Sequence, residues 1–135
     1  MNSIKGKFAL VTGGTQGLGA AIAKNFAENG AEGIITIGRK EEKGKEVAKK
    51  IQEETGCKVI FVKTDLPNVQ ECRNAVTVAK KNFGKLDVLV NAAGITDRGN
   101  IVNTSEELFD KMIGTNVKGP FFLIQETVKI MIDQG

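Results

Sequence analysis

Apolar positions along the chain fall into short continuous runs that alternate with longer segments of mixed apolar and polar residues. The short runs are rich in β-branched residues, which is typical of strands that are covered on both faces. They predict four strands, at residues 8–12, 34–37, 59–62 and 88–90. The regular alternation of these runs with longer segments indicates an α/β protein.

The longer segments carry apolar residues at helical spacing and predict three helices, at residues 18–29, 41–55 and 68–83. In the first of them Leu18, Ile22 and Phe26 recur every four residues, and we expect them to face the core. Glycine is the favoured residue just past a helix C-terminus. Each predicted helix is followed by one, at Gly30, Gly56 and Gly84.

Two capping signals mark helix starts later in the chain. Asn68 has Glu71 three residues on, as in a capping box, and Thr104 with Glu107 repeats the spacing. The second signal precedes a long final helix that we predict from about residue 105 to 133. Pro120 should bend this helix, because proline removes a backbone donor and clashes with the preceding turn.

A glycine-rich stretch, Thr12-Gly13-Gly14-Thr15-Gln16-Gly17-Leu18-Gly19, joins the first strand to the first helix. A helix N-terminus that opens on such a turn offers free N–H groups and a partial positive charge to a phosphate. A Walker-type loop is excluded because Ala20-Ala21 stand where Lys and Ser or Thr are required. G-x-G-x-x-G is excluded because Ile22 replaces the last glycine. A purely structural turn is the alternative.

Three further motifs follow in order, and together with T-G-x-x-x-G-x-G the chain resembles the short-chain dehydrogenases/reductases. They are Asp65-Leu66 after the third strand, Asn91-Ala92-Ala93-Gly94 after the fourth, and Asn116 within Thr115-Asn116-Val117. The resemblance implies an α/β fold with a Rossmann-type, doubly wound parallel sheet of strand order 3-2-1-4, truncated before strand 5. It also implies one dinucleotide-binding domain over residues 1–135. A ligand in such a sheet binds at the switch point beyond strands 1 and 4.

The resemblance also implies which residues hold the cofactor, namely Gly13, Thr15, Gln16, Gly17, Leu18, Gly19, Arg39, Asp65, Leu66, Asn91, Ala92, Ala93 and Gly94. Turn capping is the alternative role for Asp65 and Asn91. Asn116 matches the catalytic asparagine of the family, and backbone bonding at a helix kink is compatible with that role. The segment from Ile95 to Gly99 is expected to line the near side of a substrate pocket.

The residues after the second strand favour NADP(H) over NAD(H). An enzyme of this fold that uses NAD places an acidic residue there to bind the ribose 2′-OH. Here Gly38-Arg39-Lys40 occupies the position, with no carboxylate before Glu41. A guanidinium can bind a 2′-phosphate through charge-assisted hydrogen bonds. The alternative is that Arg39 caps the next helix or pairs on the surface.

The resemblance implies an oxidoreductase that moves a hydride between a nicotinamide and a carbonyl or alcohol substrate. The family transfers the accompanying proton through Tyr, Lys and Ser, but the chain has no Tyr and no His. The sequence stops where a fifth strand, with the Ser, should begin. We therefore expect the isolated chain to bind cofactor without turnover. The alternatives are a non-catalytic NADP(H)-binding module and a fragment that docks onto a partner.

Charge and composition limit the classes of partner that we expect for this chain. The net charge is +3 with basic and acidic residues interspersed, so we expect no nucleic acid. No signal peptide or membrane-spanning segment is evident, which predicts a cytoplasmic protein without membrane contact. Cys57 and Cys72 lack metal-binding spacing, so we expect free thiols and no metal. In the family the last helix forms a subunit interface, which implies a homo-oligomer for the full-length protein.

Overall fold

Four parallel strands form one sheet in the order β3-β2-β1-β4, in a computed structural model that describes residues 3–96 and 99–135. The strands are β1 (Phe8–Thr12), β2 (Gly33–Gly38), β3 (Lys58–Lys63) and β4 (Val88–Val90). Leu10 lies opposite Ile35 of β2 and Leu89 of β4. The predicted strands and strand order are confirmed.

The helices are α1 (Gly17–Glu28), α2 (Glu41–Thr55), α3 (Val69–Phe83), α4 (Glu106–Ile113) and α5 (Gly119–Gln134). A π-helical turn, Gly114–Lys118, joins α4 to α5. Gly56 and Gly84 follow α2 and α3 with φ of 78° and 77°, the left-handed conformation that glycine adopts without a steric penalty. These two helix ends therefore lie where the glycines predicted them.

The sheet is covered on both faces, as the continuous apolar strands require. On one face Leu10 and Ile35 pack with residues of α3 and with Leu123 of α5. On the other face Val11 and Ile34 pack with small residues of α1 and with Ile51 of α2. Successive residues of one strand thus enter opposite halves of the core, which is the doubly wound arrangement.

The face that α1 buries differs from the one its i, i+4 spacing predicts. Leu18 is 67% exposed, while the buried positions are Gly19, Ala23 and Ala27. Ile22 and Phe26 lie at the margin of this face and are half-buried. The prediction for Leu18 was wrong because α1 approaches the sheet closely and only small residues fit beneath it.

The two capping predictions have different outcomes. Asn68 caps α3 as predicted, since its side chain accepts a hydrogen bond from Glu71 N at 3.1 Å. At α4 the N-cap is Ser105, whose hydroxyl accepts from Leu108 N at 3.1 Å, and Thr104 was the wrong residue. The Thr104 hydroxyl instead donates to the carbonyl of Asn100 at 2.7 Å.

The predicted single final helix is divided, and the irregularity lies before Pro120 rather than at it. Pro120 occupies the first turn of α5, and the π-helical turn immediately precedes it. Because proline has no N–H to donate to the carbonyl four residues earlier, the preceding turn is where the α-helical pattern changes.

One side of the α4–α5 segment exposes apolar residues at helical spacing, at Phe109, Ile113, Val117, Phe121, Ile124, Val128 and Ile132. Among the described residues β4 pairs only with β1 and has no strand on its other side. Leu86 N, just before β4, donates to the side chain of Gln134 at 2.7 Å and so ties the end of α5 to the sheet. No helix of the described chain is long and apolar enough to cross a membrane.

Both cysteines are buried and free. Burial raises the pKa of the Cys57 thiol. Burial also raises the pKa of the Cys72 thiol to about 11, with smaller contributions from the Glu71 and Asp65 carboxylates. Both side chains are therefore neutral, unreactive core residues at neutral pH.

Replacing Thr127 with Val is expected to stabilise the protein by about 1 kcal/mol, because the change removes a buried hydroxyl that lacks a partner. Thr127 is 1% exposed, and within the described residues its Oγ1 has no hydrogen-bond partner. Valine has nearly the same shape, so the packing around position 127 is kept. Urea unfolding should show a higher midpoint with an unchanged m-value.

Thr12→Val is the matched control. Thr12 is also 1% exposed, but its hydroxyl accepts two backbone hydrogen bonds. This variant should lose about 1–3 kcal/mol, because two buried N–H groups lose their acceptor. Equal destabilisation of both variants would contradict the assignment of Thr127 as an unsatisfied group.

Candidate functional site: a crevice at the carboxyl ends of the strands

A crevice of about 300 Å³ opens at the sheet edge where all four strands end. Strand order reverses between β1 and β4 at this edge, which is where open α/β sheets bind their ligands. The lining comes from the glycine turn, from the segments after β2, β3 and β4, and from Thr115 of the π-helical turn.

The glycine turn is anchored to the sheet by its own backbone. The N–H groups of Gly13 and Gly14 donate to the carbonyl of Ile37 in β2, at 3.0 and 3.2 Å. Gly13 and Gly17 have φ of 72° and 61°, which an L side chain rarely adopts. Gln16, the N-cap of α1, makes no side-chain capping bond, so the first-turn N–H groups remain available to an anion.

The space available for a Cβ at each glycine of the turn indicates the role of that glycine. A Cβ on Gly19 would overlap the carbonyl oxygen of Gly13 and lie 2.5 Å from that of Thr12. One on Gly14 would lie 2.5 Å from Cβ of Thr36. No described atom lies within 4 Å of a Cβ on Gly17. Gly14 and Gly19 thus allow close backbone packing, whereas Gly17 faces open space beside the helix N-terminus. This geometry fits a diphosphate.

The Thr12 hydroxyl joins the ends of the two central strands. Its Oγ1 accepts hydrogen bonds from Ala92 N and Ala93 N, both at 2.9 Å. Ala93 in turn lies against the turn, with its Cα 3.2 Å from where a Cβ of Gly13 would stand. Thr12 thereby holds the segment after β4 against the glycine turn. No sequence pattern marks this role, although Thr12 ends β1 beside β4.

Asn116 binds the loop that follows β4 through two hydrogen bonds. Its Nδ2 donates to the carbonyl of Ile95 at 2.7 Å, and its Oδ1 accepts from Ile95 N at 2.9 Å. A Cβ on Gly94 would lie 3.3 Å from the same Oδ1. Because Asn116 belongs to the π-helical turn, the change in helical pattern places its amide opposite this backbone. Asn116 does not line the crevice, whereas the adjacent Thr115 does.

Arg39 follows β2 directly and lines the crevice with Gly38. Lys40, not Arg39, occupies the N-cap of α2, and its side chain makes no capping bond. Within residues 3–96 and 99–135, no carboxylate lies within ion-pair distance of Arg39. The guanidinium is exposed and available to an anionic ligand.

Asp65 lines the crevice beyond β3. Two hydrogen bonds with nearby residues close the turn that contains Asp65. Asp65 N donates to a carboxylate oxygen of Glu71 at 2.9 Å, and Asn68 N donates to the carbonyl of Asp65 at 2.8 Å. These bonds use only the backbone of Asp65.

The structure brings most of the predicted cofactor residues together along the crevice. Those that line it are Gly13, Thr15, Gln16, Gly17, Leu18, Gly19, Arg39, Asp65, Leu66, Ala92, Ala93 and Gly94. Asn91 is exposed and is not part of the lining. Ile37, Gly38, Thr64, Ile95 and Thr115 also line the crevice. Of the segment predicted to border the substrate, Asp97 and Arg98 lie outside the described residues.

The sequence over residues 7–135 matches the family model described as short chain dehydrogenase. The chain belongs to the short-chain dehydrogenase family. An uncharacterized oxidoreductase of Thermotoga maritima is 42% identical over 133 residues, which are 98% of this chain and 51% of that protein. The fold is that of the family, a Rossmann-like parallel sheet with helices on both faces.

Two solved structures of short-chain oxidoreductases resemble this one closely. L-Sorbose reductase from Gluconobacter frateurii, complexed with NADPH and L-sorbose, superposes with a TM-score of 0.93 at 30% identity, over 98% of this chain and 50% of that one. A short-chain dehydrogenase from Burkholderia cenocepacia in complex with NADP gives a TM-score of 0.88 at 35% identity, over 96% and 52%. This short-chain dehydrogenase chain spans about half the length of these relatives.

Proposed function

We propose that this short-chain dehydrogenase binds NADP(H) in the crevice and serves in hydride transfer between the nicotinamide and a carbonyl or alcohol substrate. The observation that carries the proposal is the arrangement at the switch point, where the uncapped N-terminus of α1, the open side of Gly17 and Arg39 line one crevice. Arg39 has no carboxylate partner among residues 3–96 and 99–135. The NADPH and NADP bound to the two structural neighbours support the choice of cofactor.

Each part of the crevice has a proposed role. The α1 N-terminus and Gly17 bind the diphosphate, because free N–H groups there complement its charge. Arg39 binds the 2′-phosphate, and Asp65 with Leu66 borders the adenine. Ala92, Ala93 and Gly94 flank the nicotinamide half. The bound cofactor supplies the hydride chemistry, and the protein contributes binding and orientation.

Asn116 is proposed to act on the same reaction through the backbone of Ile95. Its two hydrogen bonds hold the loop after β4 in one position at the nicotinamide side of the crevice. The chain contains no Tyr or His that could transfer the proton at this site. We therefore propose that the chain alone binds cofactor without measurable turnover. We also propose that the protein is located in the cytoplasm.

The test combines binding with turnover. Saturable quenching or enhancement of NADPH fluorescence by the purified protein is expected, together with no NADPH consumption across a panel of ketones and aldehydes. Absence of binding would overturn the cofactor proposal. Consumption of NADPH that scales with protein concentration would overturn the proposed inactivity while leaving the crevice assignment in place.

The exposed apolar side of α4–α5 favours a second candidate, in which the chain is a module that docks onto a partner. Phe121, Ile124 and Val128 are each exposed by more than a third of their surface. A full-length protein is proposed to use this side in a homo-oligomer. A discrete hetero-oligomer with a full-length relative, measured by sedimentation, would favour the docking module; a monomer under all conditions would remove it.

A further inference from the structure

A lysine of α2 contacts Gln16, a residue that lines the crevice. Lys43 Nζ donates a hydrogen bond to Oε1 of Gln16, the N-cap of α1, at 3.5 Å. The contact joins residues that are 27 positions apart and connects the first turn of α2 to the glycine turn. Gln16 and Arg39 both line the crevice. Lys43 is thus connected through Gln16 to the crevice that Arg39 lines, and within the described residues neither cation pairs with a carboxylate.

Two neighbouring lysines of α2, unlike Lys43, lie close to carboxylates. Lys45 pairs with the Glu41 carboxylate at 2.9 Å, and Lys49 lies 3.9 Å from Glu53. The hydrogen bond and charge of Lys45 hold the pKa of Glu41 below its ordinary value, and Lys63 adds a smaller contribution. The carboxylate nearest in sequence to Arg39 is therefore already committed to a lysine. In the described chain no carboxylate pairs with Lys43.

An amide oxygen is a weak partner for an ammonium group. It carries no net charge, so a phosphate that entered the opening would offer Lys43 a stronger, charge-assisted hydrogen bond. The flexible lysine stem allows Nζ to move from Gln16 to such a group without a backbone change. The Gln16 contact therefore keeps the ammonium beside a residue that lines the crevice.

We propose that Lys43 is a second cation for the 2′-phosphate of NADP(H), held near its binding position by Gln16. This inference rests on the proposed function, because it requires a cofactor whose adenosine ribose carries a phosphate. It assigns a specificity role to a residue of α2 that no sequence motif marks. Arg39 and Lys43 would then contact the phosphate from the ends of different elements.

The experiment compares Lys43→Met with Lys50→Met, using fluorescence titrations of the whole protein with NADPH and with NADH. Lys50 follows Lys43 by two helical turns on the same side of α2, so its head group lies about 10 Å farther from the crevice. Both lysines are exposed, and neither substitution should affect folding. Circular dichroism before each titration checks this.

Lys43→Met should raise the NADPH dissociation constant roughly 10-fold, the low end of the range for loss of one charged hydrogen bond, and change the NADH constant less than about 2-fold. Lys50→Met should leave both constants within about 2-fold of wild type. Equal losses in the two variants would indicate general charge effects and overturn the inference. So would unchanged NADPH binding by Lys43→Met.

A parallel titration of Arg39→Met separates this inference from the proposed function. If wild type prefers NADPH and Arg39→Met weakens it while Lys43→Met does not, only the role of Lys43 is wrong. If wild type binds NADH as tightly as NADPH and neither substitution matters, the NADP(H) assignment itself has failed, and the 2′-phosphate role of Lys43 fails with it.

Discussion

Arg39→Asp is expected to weaken NADPH binding about 100-fold, because it removes charged hydrogen bonds to the 2′-phosphate and places a carboxylate against it. The wild-type guanidinium is exposed at the crevice and has no carboxylate partner within the described residues, so its charge is available to the ligand. NADH binding should hold or improve, since an acidic residue at this position accepts hydrogen bonds from the ribose 2′-OH. Dissociation constants for both cofactors measure the change in preference.

Lys81→Asp provides the control for net charge. It makes the same change in formal charge, but Lys81 lies in the last turn of α3, near the opposite edge of the sheet. NADPH affinity in this variant should stay within about 2-fold of wild type at 0.15 M salt, where distant exposed charges are screened. Unchanged NADPH affinity in Arg39→Asp would remove Arg39 from the cofactor site.

Gly19→Ala is expected to destabilise the protein by about 3–5 kcal/mol and to abolish NADPH binding, as severe overpacking at a fixed backbone position does. The added methyl group would overlap the carbonyl oxygen of Gly13 and crowd that of Thr12. Both contacts are backbone atoms that cannot rotate away, so α1 must move from the sheet and distort the diphosphate cradle. Urea unfolding and NADPH titration measure the two effects.

Gly17→Ala separates crowding from backbone conformation. Gly17 has φ of 61°, but a Cβ there meets no atom of the described residues within 4 Å. The variant should lose only about 1 kcal/mol, the cost of a left-handed conformation in an L-residue. Gly19→Ala should therefore be clearly less stable than Gly17→Ala. Equal stability of the two variants would contradict the inference that the close approach of α1 to the turn stabilises this part of the fold.

The strands could be predicted because burial on both faces leaves continuous apolar runs, as at Phe8–Thr12 and Val88–Val90. Their order was implied by the resemblance to the short-chain dehydrogenases/reductases. The crevice could be predicted because the glycine turn, Asp65 and the segment after β4 all follow strand ends. Parallel strands bring their carboxyl ends to one edge, so residues far apart in sequence meet there. These inferences depend on periodicity and order, which a sequence displays directly.

The remaining features depend on contacts that periodicity does not encode. The outward position of Leu18 depends on how closely α1 approaches the sheet at Gly19. The choice of Ser105 over Thr104 is a difference of one residue between two competent caps. The hydrogen bonds of Thr12 to Ala92 and Ala93 span 80 and 81 residues. Each requires the three-dimensional arrangement before it can be recognised.

The hydroxyl of Thr12 also affects the entropy of ligand binding. Because it joins the end of β1 to the backbone after β4, two walls of the crevice are already fixed to each other in the ligand-free protein. Asn116 restrains the next stretch of the same loop through Ile95. A ligand that enters the crevice therefore has little backbone to order, and less of its contact energy is offset by lost chain freedom.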